Sequence, residues 1–432
     1  MEVVRVMALY LKKGTSEVEE EKDTDVYNVV KGILADIEKN GEESIRKYSE
    51  KFDGWNPESF LISEDEIIQA KKSLPETFIQ DTDYCQQQIK EFAKAQLESL
   101  SEVEIEIQPG VTLGHKLVPV ANVGAYIPGG RYPIIASAHM SIIPPKVAGV
   151  ERIIACTPPQ QNKKIHPGVL YAIHAAGADQ IYAIGGVQAI GAMAYGMGTK
   201  LKPVDFIVGP GNRFVAEAKR QIYGEVGIDQ LAGPSEILII ADETADPILV
   251  AADLLGQCEH DPNAVSILIT NSQDLAKKVM VEIDKQLPKL KTSKIAGESW
   301  KNYGEIILVN HINEAIKLAN DYAIEHVEVH AKNLEYFLDK LKNYGSLFLG
   351  EETTVAYGDK GIGTNHILPT GRAARYTGGL WVGKFLKTLT YQKSTREASK
   401  RLGEIISRQC EVEGMHAHQI TANLRVEKFR HD

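Results

Sequence analysis

Acids, histidines and an amide stand in four separate groups in the C-terminal part of the chain. Their members are Gln257 and His260, Glu325 and His326, Asp359 and His366, and Glu413, His416 and His418. Oxygen and nitrogen ligands of this kind bind zinc, and an open coordination position would leave room for a substrate. A further acid and base would handle protons at an alcohol or carbonyl carbon. The sequence therefore predicts an enzyme whose metal site is divided among distant segments.

Spacing indicates which of these side chains can act together. Gln257 and His260 are three residues apart on a predicted helix, so they share one face. A solvated helix end is the alternative for this pair. His416 and His418 are two residues apart on a second predicted helix, so at most one of them would bind a metal. Asp359 lies in a glycine-dense segment, which we predict to be a loop that brings its carboxylate close to a ligand.

The adjacent pair Glu325 and His326 suits proton transfer. One group can take a hydroxyl proton while the other activates water. The alternative is an ordinary polar loop before a strand predicted at 327–331. Cys258 could act as a nucleophile, but its acidic neighbours would raise its pKa, so a structural role is favoured.

Composition excludes several classes of protein. The chain has 432 residues, 43% hydrophobic and 25% charged, which is typical of a globular protein with more than one domain. A formal net charge of −10 argues against a nucleic-acid partner. The four cysteines have no CxxC spacing, which fits a reducing cytoplasm. The first apolar run is too short to span a bilayer, and neither a signal peptide nor a membrane partner is predicted.

Hydrophobic periodicity predicts an α/β fold. The first quarter of the chain is predicted to be mostly helical, with one helix that stops at Asn40 and a long helix at about 76–100. Apolar, β-branched runs then alternate with helical segments, which is typical of parallel sheets covered on both faces. These runs lie at 152–156, 180–184, 204–208, 236–241, 265–270 and 305–309. Because six such units exceed one compact sheet, two α/β domains are predicted.

Two glycine-containing turns suit a dinucleotide. They are Gly185-Gly186-Val187-Gln188 and Gly209-Pro210-Gly211-Asn212, each between a predicted strand and a predicted helix. Glycines there let the backbone approach a phosphate, and the helix N-terminus offers N–H groups. Neither turn has the complete G-x-G-x-x-G pattern, and tight turns without a ligand are the alternative.

Taken together, the motifs resemble those of the histidinol dehydrogenase family over nearly the whole chain. They are VGAYIPGG (123–130), GGVQAIGAMAYG (185–196), VGPGN (208–212), AGPSEILIIAD (232–242), DLLGQCEHDP (253–262), IEHVEV (324–329), GTNHILPTG (363–371) and EGMHAH (413–418). The resemblance implies a homodimer, bound zinc, and two successive NAD-dependent oxidations that convert a primary alcohol through an aldehyde to a carboxylate.

The resemblance also implies a domain arrangement. We expect two Rossmann-like domains with parallel sheets, a helical N-terminal region and a C-terminal helical tail. Residues 1–25 would form an N-terminal arm. Residues 26–126 plus 236–378 would form the first domain with the metal site, and 127–235 the second with the NAD site. Residues 379–432 would form the helical tail for dimerisation.

Site residues follow from the resemblance by motif position. The implied zinc ligands are Gln257, His260, Asp359 and His418. His326 would be the general base for the alcohol, and Glu325 would activate water at the aldehyde stage. The implied NAD contacts are Tyr126, Gln188 and Asn212. The implied substrate contacts are Ser235, His366 and Glu413.

Departures from the family pattern bear on the substrate. Ile324 replaces the usual proline before Glu325, and Lys360 replaces the usual aromatic residue after Asp359. The segments 129–141, 356–366 and 374–392 instead resemble the sulfopropanediol dehydrogenase branch of the family. Lys360, with Arg131 as a possible neighbour, would suit an anionic head group. A solvated loop lysine is the alternative.

The sequence thus predicts a zinc- and NAD-dependent dehydrogenase that acts on a small polar primary alcohol. An anionic diol such as 2,3-dihydroxypropane-1-sulfonate, oxidised to sulfolactate, is favoured over L-histidinol. A metal-dependent hydrolase or lyase, in which Glu325 activates water, is a competing hypothesis that predicts no NAD binding. A non-catalytic binding protein is a further one, and it predicts that Glu325 and His326 are dispensable.

Overall fold

The computed structural model describes residues 8–15, 24–129, 132–160 and 162–430. Much of the predicted N-terminal arm, and Arg131, lie outside the described residues. Within these ranges, no helix combines the length and apolar content that a bilayer crossing requires.

Helices cover the sheets on both faces. They are α1 (Thr24–Asn40), α2 (Glu42–Asp53), α3 (Glu64–Lys72), α4 (Glu76–Glu98), α5 (Ala136–Ala148), α6 (Pro167–Ala176), α7 (Gly186–Tyr195), α8 (Arg213–Ile222), α9 (Pro247–Cys258), α10 (Gln273–Gln286), α11 (Ser293–Tyr303), α12 (Ile312–Tyr322), α13 (Leu334–Lys340), α14 (Val355–Lys360), α15 (Arg396–Glu413) and α16 (His416–Lys428). The helix predicted to stop at Asn40 and the long predicted helix correspond to α1 and α4.

The strands form three sheets. They are β1 (Leu9–Lys12), β2 (Val103–Gln108), β3 (Val111–Pro119), β4 (Asn122–Tyr126), β5 (Arg152–Thr157), β6 (Gln180–Ala183), β7 (Phe206–Val208), β8 (Gly227–Ile228), β9 (Glu236–Ala241), β10 (Val265–Thr270), β11 (Gly304–Leu308), β12 (His326–His330), β13 (Ser346–Leu349) and β14 (Leu386–Ser394). The six strands predicted from β-branched runs are confirmed as β5, β6, β7, β9, β10 and β11.

Two of the sheets are parallel and share one strand order. The five-stranded sheet has the order β6-β5-β4-β7-β8. The six-stranded sheet has the order β1-β11-β10-β9-β12-β13, in which only β1 is antiparallel. Counted from the first parallel strand of each sheet, both orders are third, second, first, fourth and fifth. Such a doubly wound sheet creates a crevice where the direction of winding reverses, between the first and fourth strands.

The N-terminal helices pack on a different sheet from the one that the predicted domain division assigned to them. Residues 26–126 were expected to join 236–378, but β4 is the central strand of the five-stranded sheet. Val30 and Ile37 on α1 are fully buried in one core with Tyr126 and Ile190. The physical reason is that the apolar face of α1 packs on α7 and α8, which cover that sheet. The six-stranded sheet is therefore built from 236–378 and β1.

The C-terminal tail is not wholly helical, in contrast to the prediction. It includes β14, which pairs antiparallel with β3 from Leu386 to Ser394 and forms a three-stranded sheet with β2 and β3. The helices α15 and α16 follow and pack mainly on each other. This region leaves a set of large apolar side chains exposed: Ile105, Ile107, Leu389, Ile405, Ile406, Val412, Met415, Ile420 and Leu424. A concentration of this kind is typical of an interface with another protein.

Candidate active site

The amino ends of two strands bring the central groups together. In the six-stranded sheet β9 begins at Glu236 and β12 begins at His326, and the two strands are hydrogen-bonded neighbours. Helix α9, which contains Gln257, ends at the same edge of the sheet. The short helix α14 adds Asp359. Asp359 therefore lies in a short helix and not in a loop as predicted, because that helix accommodates Gly358 and ends only at Gly361.

His326 is held as a proton acceptor. Its side chain is buried, and Nδ1 lies 2.9 Å from the backbone oxygen of Glu236. Because a carbonyl oxygen can only accept, Nδ1 is the protonated nitrogen of the neutral ring. Nε2 has no hydrogen-bond partner within the described residues and lies 3.7 Å from Asp359 Oδ1. The lone pair of Nε2 is thus directed into the site.

Charges around His326 determine its pKa. Burial alone would lower the pKa of this imidazole, but the neighbouring carboxylates of Glu325 and Asp359 outweigh burial and raise it well above its usual value. Glu325 Oε2 lies 3.3 Å from His326 Nδ1 and accepts a hydrogen bond of 2.8 Å from the backbone N–H of Glu236. Glu325 and His326 are therefore both held at the amino end of β12.

Glu236 was not singled out from the sequence. Its backbone contacts both Glu325 and His326, and its own Oε1 accepts a hydrogen bond of 3.1 Å from the Gly371 N–H. Burial raises the pKa of this carboxyl to about 7, assisted by the charge of Glu325. Its position as the first residue of β9, directly after Ser235, was the available signal.

Two of the four predicted metal ligands, His260 and Asp359, lie close together, and a third, Gln257, lies three residues before His260 at the end of α9. His260 Nε2 is 3.8 Å from Asp359 Oδ2. Gln257 is buried, and its Nε2 has no hydrogen-bond partner among the described residues. Burial would raise the pKa of Asp359, but the nearby imidazoles of His326, His366 and His260 hold it below its usual range. Asp359 is therefore a carboxylate, ready to bind a cation.

This donor set fits zinc. The 3.8 Å between the His260 nitrogen and the Asp359 oxygen is too long for a hydrogen bond. It is close to the separation of about 3.5 Å between two ligands of a tetrahedral zinc ion. The unpartnered His326 Nε2 indicates that something further belongs at the centre, and the Gln257 amide, whose Nε2 is also unpartnered, can turn its oxygen toward a cation. One amide, one carboxylate and one imidazole are suitable zinc ligands.

Only some of the predicted substrate residues lie near the proposed metal site. His366 Nδ1 lies 2.9 Å from the backbone oxygen of Asp359, and its Nε2 lies 3.3 Å from Ser137 Oγ on α5. Burial lowers the pKa of His366, and the charge of Lys360 lowers it further, so Lys360 lies near this ring. Ser235 is half-buried immediately before β9. Ser137 was missed because nothing in its sequence context marks it.

Glu413 and His418 are not brought to this site. Both are exposed, at the end of α15 and near the start of α16. Within the described ranges, neither side chain has a hydrogen bond or ion pair with a residue of the site. A single copy of the chain therefore supplies Gln257, His260 and Asp359, and His418 stands apart.

Cys258 has a structural position. It is fully buried, and its Sγ donates a hydrogen bond of 3.2 Å to Ser266 Oγ. Burial raises the pKa of the thiol, so it is a poor nucleophile. The structural interpretation made from the sequence agrees with this burial.

The predicted cofactor residues lie at the carboxyl edge of the five-stranded sheet. Tyr126 is the last residue of β4, and its hydroxyl accepts a hydrogen bond of 3.1 Å from the Gly186 N–H. Gln188 is buried on α7 and donates a hydrogen bond of 2.9 Å to Asp53. The crevice between β4 and β7 adjoins Tyr126 and Gly209, which is where doubly wound sheets bind dinucleotides.

Asn212 has a clear local role. Its Oδ1 accepts hydrogen bonds of 3.0 and 3.1 Å from the N–H groups of Phe214 and Val215, so it caps α8. Gly209 before it has a φ of 121°, and a Cβ there would lie 2.1 Å from the backbone oxygen of Tyr126. Only glycine fits that turn, which brings the backbone close to the crevice.

Comparison with known proteins adds to this geometry. Residues 16–426 match the family described as histidinol dehydrogenase. A histidinol dehydrogenase homolog of Shouchella clausii is 53% identical over 98% of this chain and 100% of its own length. The sulfopropanediol 3-dehydrogenase of Ruegeria pomeroyi is 44% identical over 97% of this chain and 96% of its own. The chain belongs to the histidinol dehydrogenase family.

A solved structure of this family has the same fold. The crystal structure of histidinol dehydrogenase from Elizabethkingia anophelis superposes with a TM-score of 0.90 at 34% identity, covering 97% of this chain and 95% of the other. As a member of the histidinol dehydrogenase family, the protein is an NAD-dependent oxidoreductase that acts on CH–OH donors. The cofactors of the family are NAD and zinc.

Proposed function

We propose that this enzyme oxidises a small primary alcohol with an anionic head group, through the aldehyde to the carboxylate. A substrate of this class is 2,3-dihydroxypropane-1-sulfonate, with sulfolactate as product. The residue that motivates the proposal is Lys360, which directly follows Asp359 at the end of α14 and is exposed. A lysine there offers a cation for a sulfonate next to the point where the hydroxyl would react.

We assign the metal to Gln257, His260 and Asp359 of one chain, with His418 of a second chain as the fourth ligand. Bound zinc would lower the pKa of the substrate hydroxyl and orient the alcohol. Asp359 stays ionised for this task because three imidazoles surround it. His260 is exposed enough, at 38% of its side chain, to face an entering substrate.

His326 is the proposed general base. Its Nδ1–H is fixed on the Glu236 carbonyl, so the ring cannot turn away, and Nε2 faces Asp359. Zinc bound to Asp359 would offset the negative charge that raises the pKa of the ring, so that Nε2 can be the neutral, accepting nitrogen. Nε2 takes the hydroxyl proton as the first hydride leaves the carbinol carbon. Glu325 then takes a proton from water as that water adds to the aldehyde. NAD, when bound, would accept one hydride in each of the two oxidations, and the proton of the resulting carboxylic acid would be lost to solvent.

The cofactor is proposed to bind at the carboxyl edge of the five-stranded sheet, which we take as a Rossmann-like unit from its strand order. We assign Tyr126, Gln188 and Asn212 to this cofactor site. The six-stranded sheet has the same order and is the second such unit. On this division, the NAD site lies at one sheet and the metal site at the other.

We further propose a homodimer in which each chain completes the site of its partner. The exposed apolar side chains of β2, β14, α15 and α16 suit a second copy of the chain. Glu413 and His418 lie on these same two helices and would reach the partner's site. The proposal accounts for their exposure in the single chain.

The substrate is tested by incubating the purified, zinc-loaded protein with NAD and one alcohol at a time. We expect reduced cofactor to form with the sulfonate diol at a kcat/KM well above that with L-histidinol. Two molecules of reduced cofactor should form for each diol consumed. Turnover of L-histidinol alone would contradict the head-group assignment, and the absence of NAD reduction with every alcohol would contradict the oxidation itself.

The shared site is tested by mixing two inactive variants. We combine the variants H326Q and H418A after dissociation and reassociation. If His418 serves the partner's site, one of the two sites in a mixed dimer keeps both native residues. Random mixing should then restore about a quarter of wild-type activity. If His418 serves its own chain, the mixture should stay inactive.

A further inference from the structure

A second layer of buried polar groups lies behind the proposed metal site. On β12, side chains alternate, so His326, Glu328 and His330 share one face. On α9, Asp253 and Gln257 are four residues apart and also share a face. His326 and Gln257 form the level nearest the substrate. Glu328, His330 and Asp253 form the level below it.

The lower level is a connected cluster. Glu328 Oε2 lies 3.4 Å from His330 Nε2, and the same nitrogen lies 3.7 Å from Asp253 Oδ2. The side chains of Glu328 and His330 are 0% and 1% exposed, and that of Asp253 is 17% exposed. Ionisable groups buried this deeply are stable only when they are paired with one another or with the backbone.

The cluster also holds the start of α14. Glu328 Oε1 accepts a hydrogen bond of 2.7 Å from the Val355 N–H, and Asp253 Oδ1 accepts one of 2.8 Å from the Thr354 hydroxyl. Thr354 is the residue before the helix, but its side chain does not cap the helix. The carboxylate of Glu328 replaces that cap. Asp359 lies four residues after Val355, about one helical turn away.

We propose that Asp253, Glu328 and His330 are positioning residues that fix α14 and so hold Asp359 at the correct distance from the other zinc ligands. Asp253 belongs to the same helix as Gln257, and Glu328 to the same strand as His326. The cluster therefore fixes the relative positions of α9, β12 and α14. This inference rests on the proposed zinc site.

The same three side chains could themselves attract a cation. Their ligand atoms lie within 4.8 Å of one another. However, Glu328 directs one oxygen at the Val355 N–H and the other at His330, so both are engaged within the protein. A positioning role accounts for both contacts, and a second bound metal is an outcome that the experiment distinguishes.

The experiment compares E328A, E328Q and a matched control, E314A. Glu314 is also a buried glutamate, and its Oε2 also accepts a backbone N–H, that of Asn310, at 2.9 Å. It lies on α12, in the core on the other face of the six-stranded sheet. Zinc affinity is measured by competition with a chromophoric chelator. We expect E328A to bind zinc about 10–100-fold more weakly.

E328Q keeps an oxygen for the Val355 N–H and should lose less affinity than E328A, while E314A should bind zinc as the wild type does. Unchanged affinity in E328A would overturn the proposal. Two zinc ions in each wild-type chain, one of which E328A loses without weakening the other, would overturn it in favour of a second cation site.

A second measurement does not require zinc. Hydrogen exchange of the metal-free proteins reports how firmly α14 is held, and E328A should raise the exchange rate of the Val355 amide at least about tenfold. E314A should not. If the wild type binds no zinc, the proposed function fails, and this exchange rate alone decides whether the cluster fixes α14. Equal exchange in E328A and the wild type would refute the cluster's role.

Discussion

The two parallel sheets have the same strand order but carry their predicted sites at opposite edges. The glycine turns and Tyr126 follow strands of the five-stranded sheet, at its carboxyl edge. Glu325, His326 and Glu236 stand where strands of the six-stranded sheet begin, at its amino edge. Strand order alone would place both sites at carboxyl edges.

Helix direction explains why the edges differ in chemistry. In a doubly wound sheet, the connecting helices begin at the carboxyl edge and end at the amino edge. Helices α7 and α8 therefore direct their positive ends at the predicted NAD site, which suits the phosphates of a dinucleotide. Helix α9 directs its negative end, with Gln257, at the amino edge, which suits a cation. Two sheets with the same strand order thus provide an anion site at the carboxyl edge of one and a cation site at the amino edge of the other.

The strongest test of this division is the removal of the base. H326Q should lower kcat about a thousandfold, because the variant lacks the group that we propose takes the hydroxyl proton. NAD affinity should stay the same, since the cofactor binds at the other sheet. H115Q, on β3, serves as the matched control. If NAD affinity fell together with kcat, the two edges would not be separate in function.

A pH titration tests the amino edge. Burial raises the pKa of Glu236 from 4.5 to about 7. The folded protein thus binds this proton more tightly than the unfolded chain. The stabilisation is complete below pH 4.5 and is lost as the pH rises to about 7. For metal-free protein, it amounts to ~3 kcal/mol at most.

E236Q should lose this dependence, so the difference in unfolding free energy between wild type and variant should change between pH 4.5 and 7.5. The measurement is chemical denaturation across that interval with a chelator present. E351Q, at an exposed turn after β13, is the control and should follow the wild type. A wild-type curve parallel to that of E236Q would show that Glu236 titrates normally.

The carboxyl edge is tested by a glycine pair. G209A introduces a Cβ 2.1 Å from the Tyr126 oxygen, and G224A, with a φ of 108°, meets nothing within 4 Å. Both variants carry backbone strain of about 1–3 kcal/mol, but only G209A must also move the turn. G209A should weaken NAD binding about tenfold or more and leave zinc affinity unchanged. Equal NAD binding by both variants would remove Gly209 from the cofactor site.

Much of the fold was predictable from local pattern. Continuous β-branched runs identified six strands because both faces of a parallel strand are buried. The docking of α1 on α7 and α8 was not predictable, since an amphipathic face does not specify its partner. For the same reason β14 was missed. Its sequence, LKTLTYQKS, has no regular alternation of apolar residues and is almost entirely exposed, so it becomes a strand only through pairing with β3.

The types of residue in the site could be predicted from the sequence better than their positions in the fold. Spacing pointed to Gln257 and His260, and the family motifs added His326 and Asp359. The structure places His260 at 3.8 Å and His326 at 3.7 Å from Asp359. The contribution of Glu236 was missed, because it acts mainly through backbone atoms and only its position directly after Ser235 marked it. The alternation HVEVH at the start of β12 did contain a signal, since acids and histidines on a buried strand need partners.

The prediction with the smallest expected effect concerns the substrate at the amino edge of the six-stranded sheet. An anionic head group at this edge would pair with a side-chain cation, and Lys360 is the one we propose. K360Q should raise KM for the sulfonate diol about tenfold with little change in kcat, the loss of one charged hydrogen bond. KM for L-histidinol, whose amine is a cation, should not rise. K202Q, an exposed lysine before β7, is the control. Equal increases in KM for both alcohols would mean that Lys360 holds the site together without recognising charge.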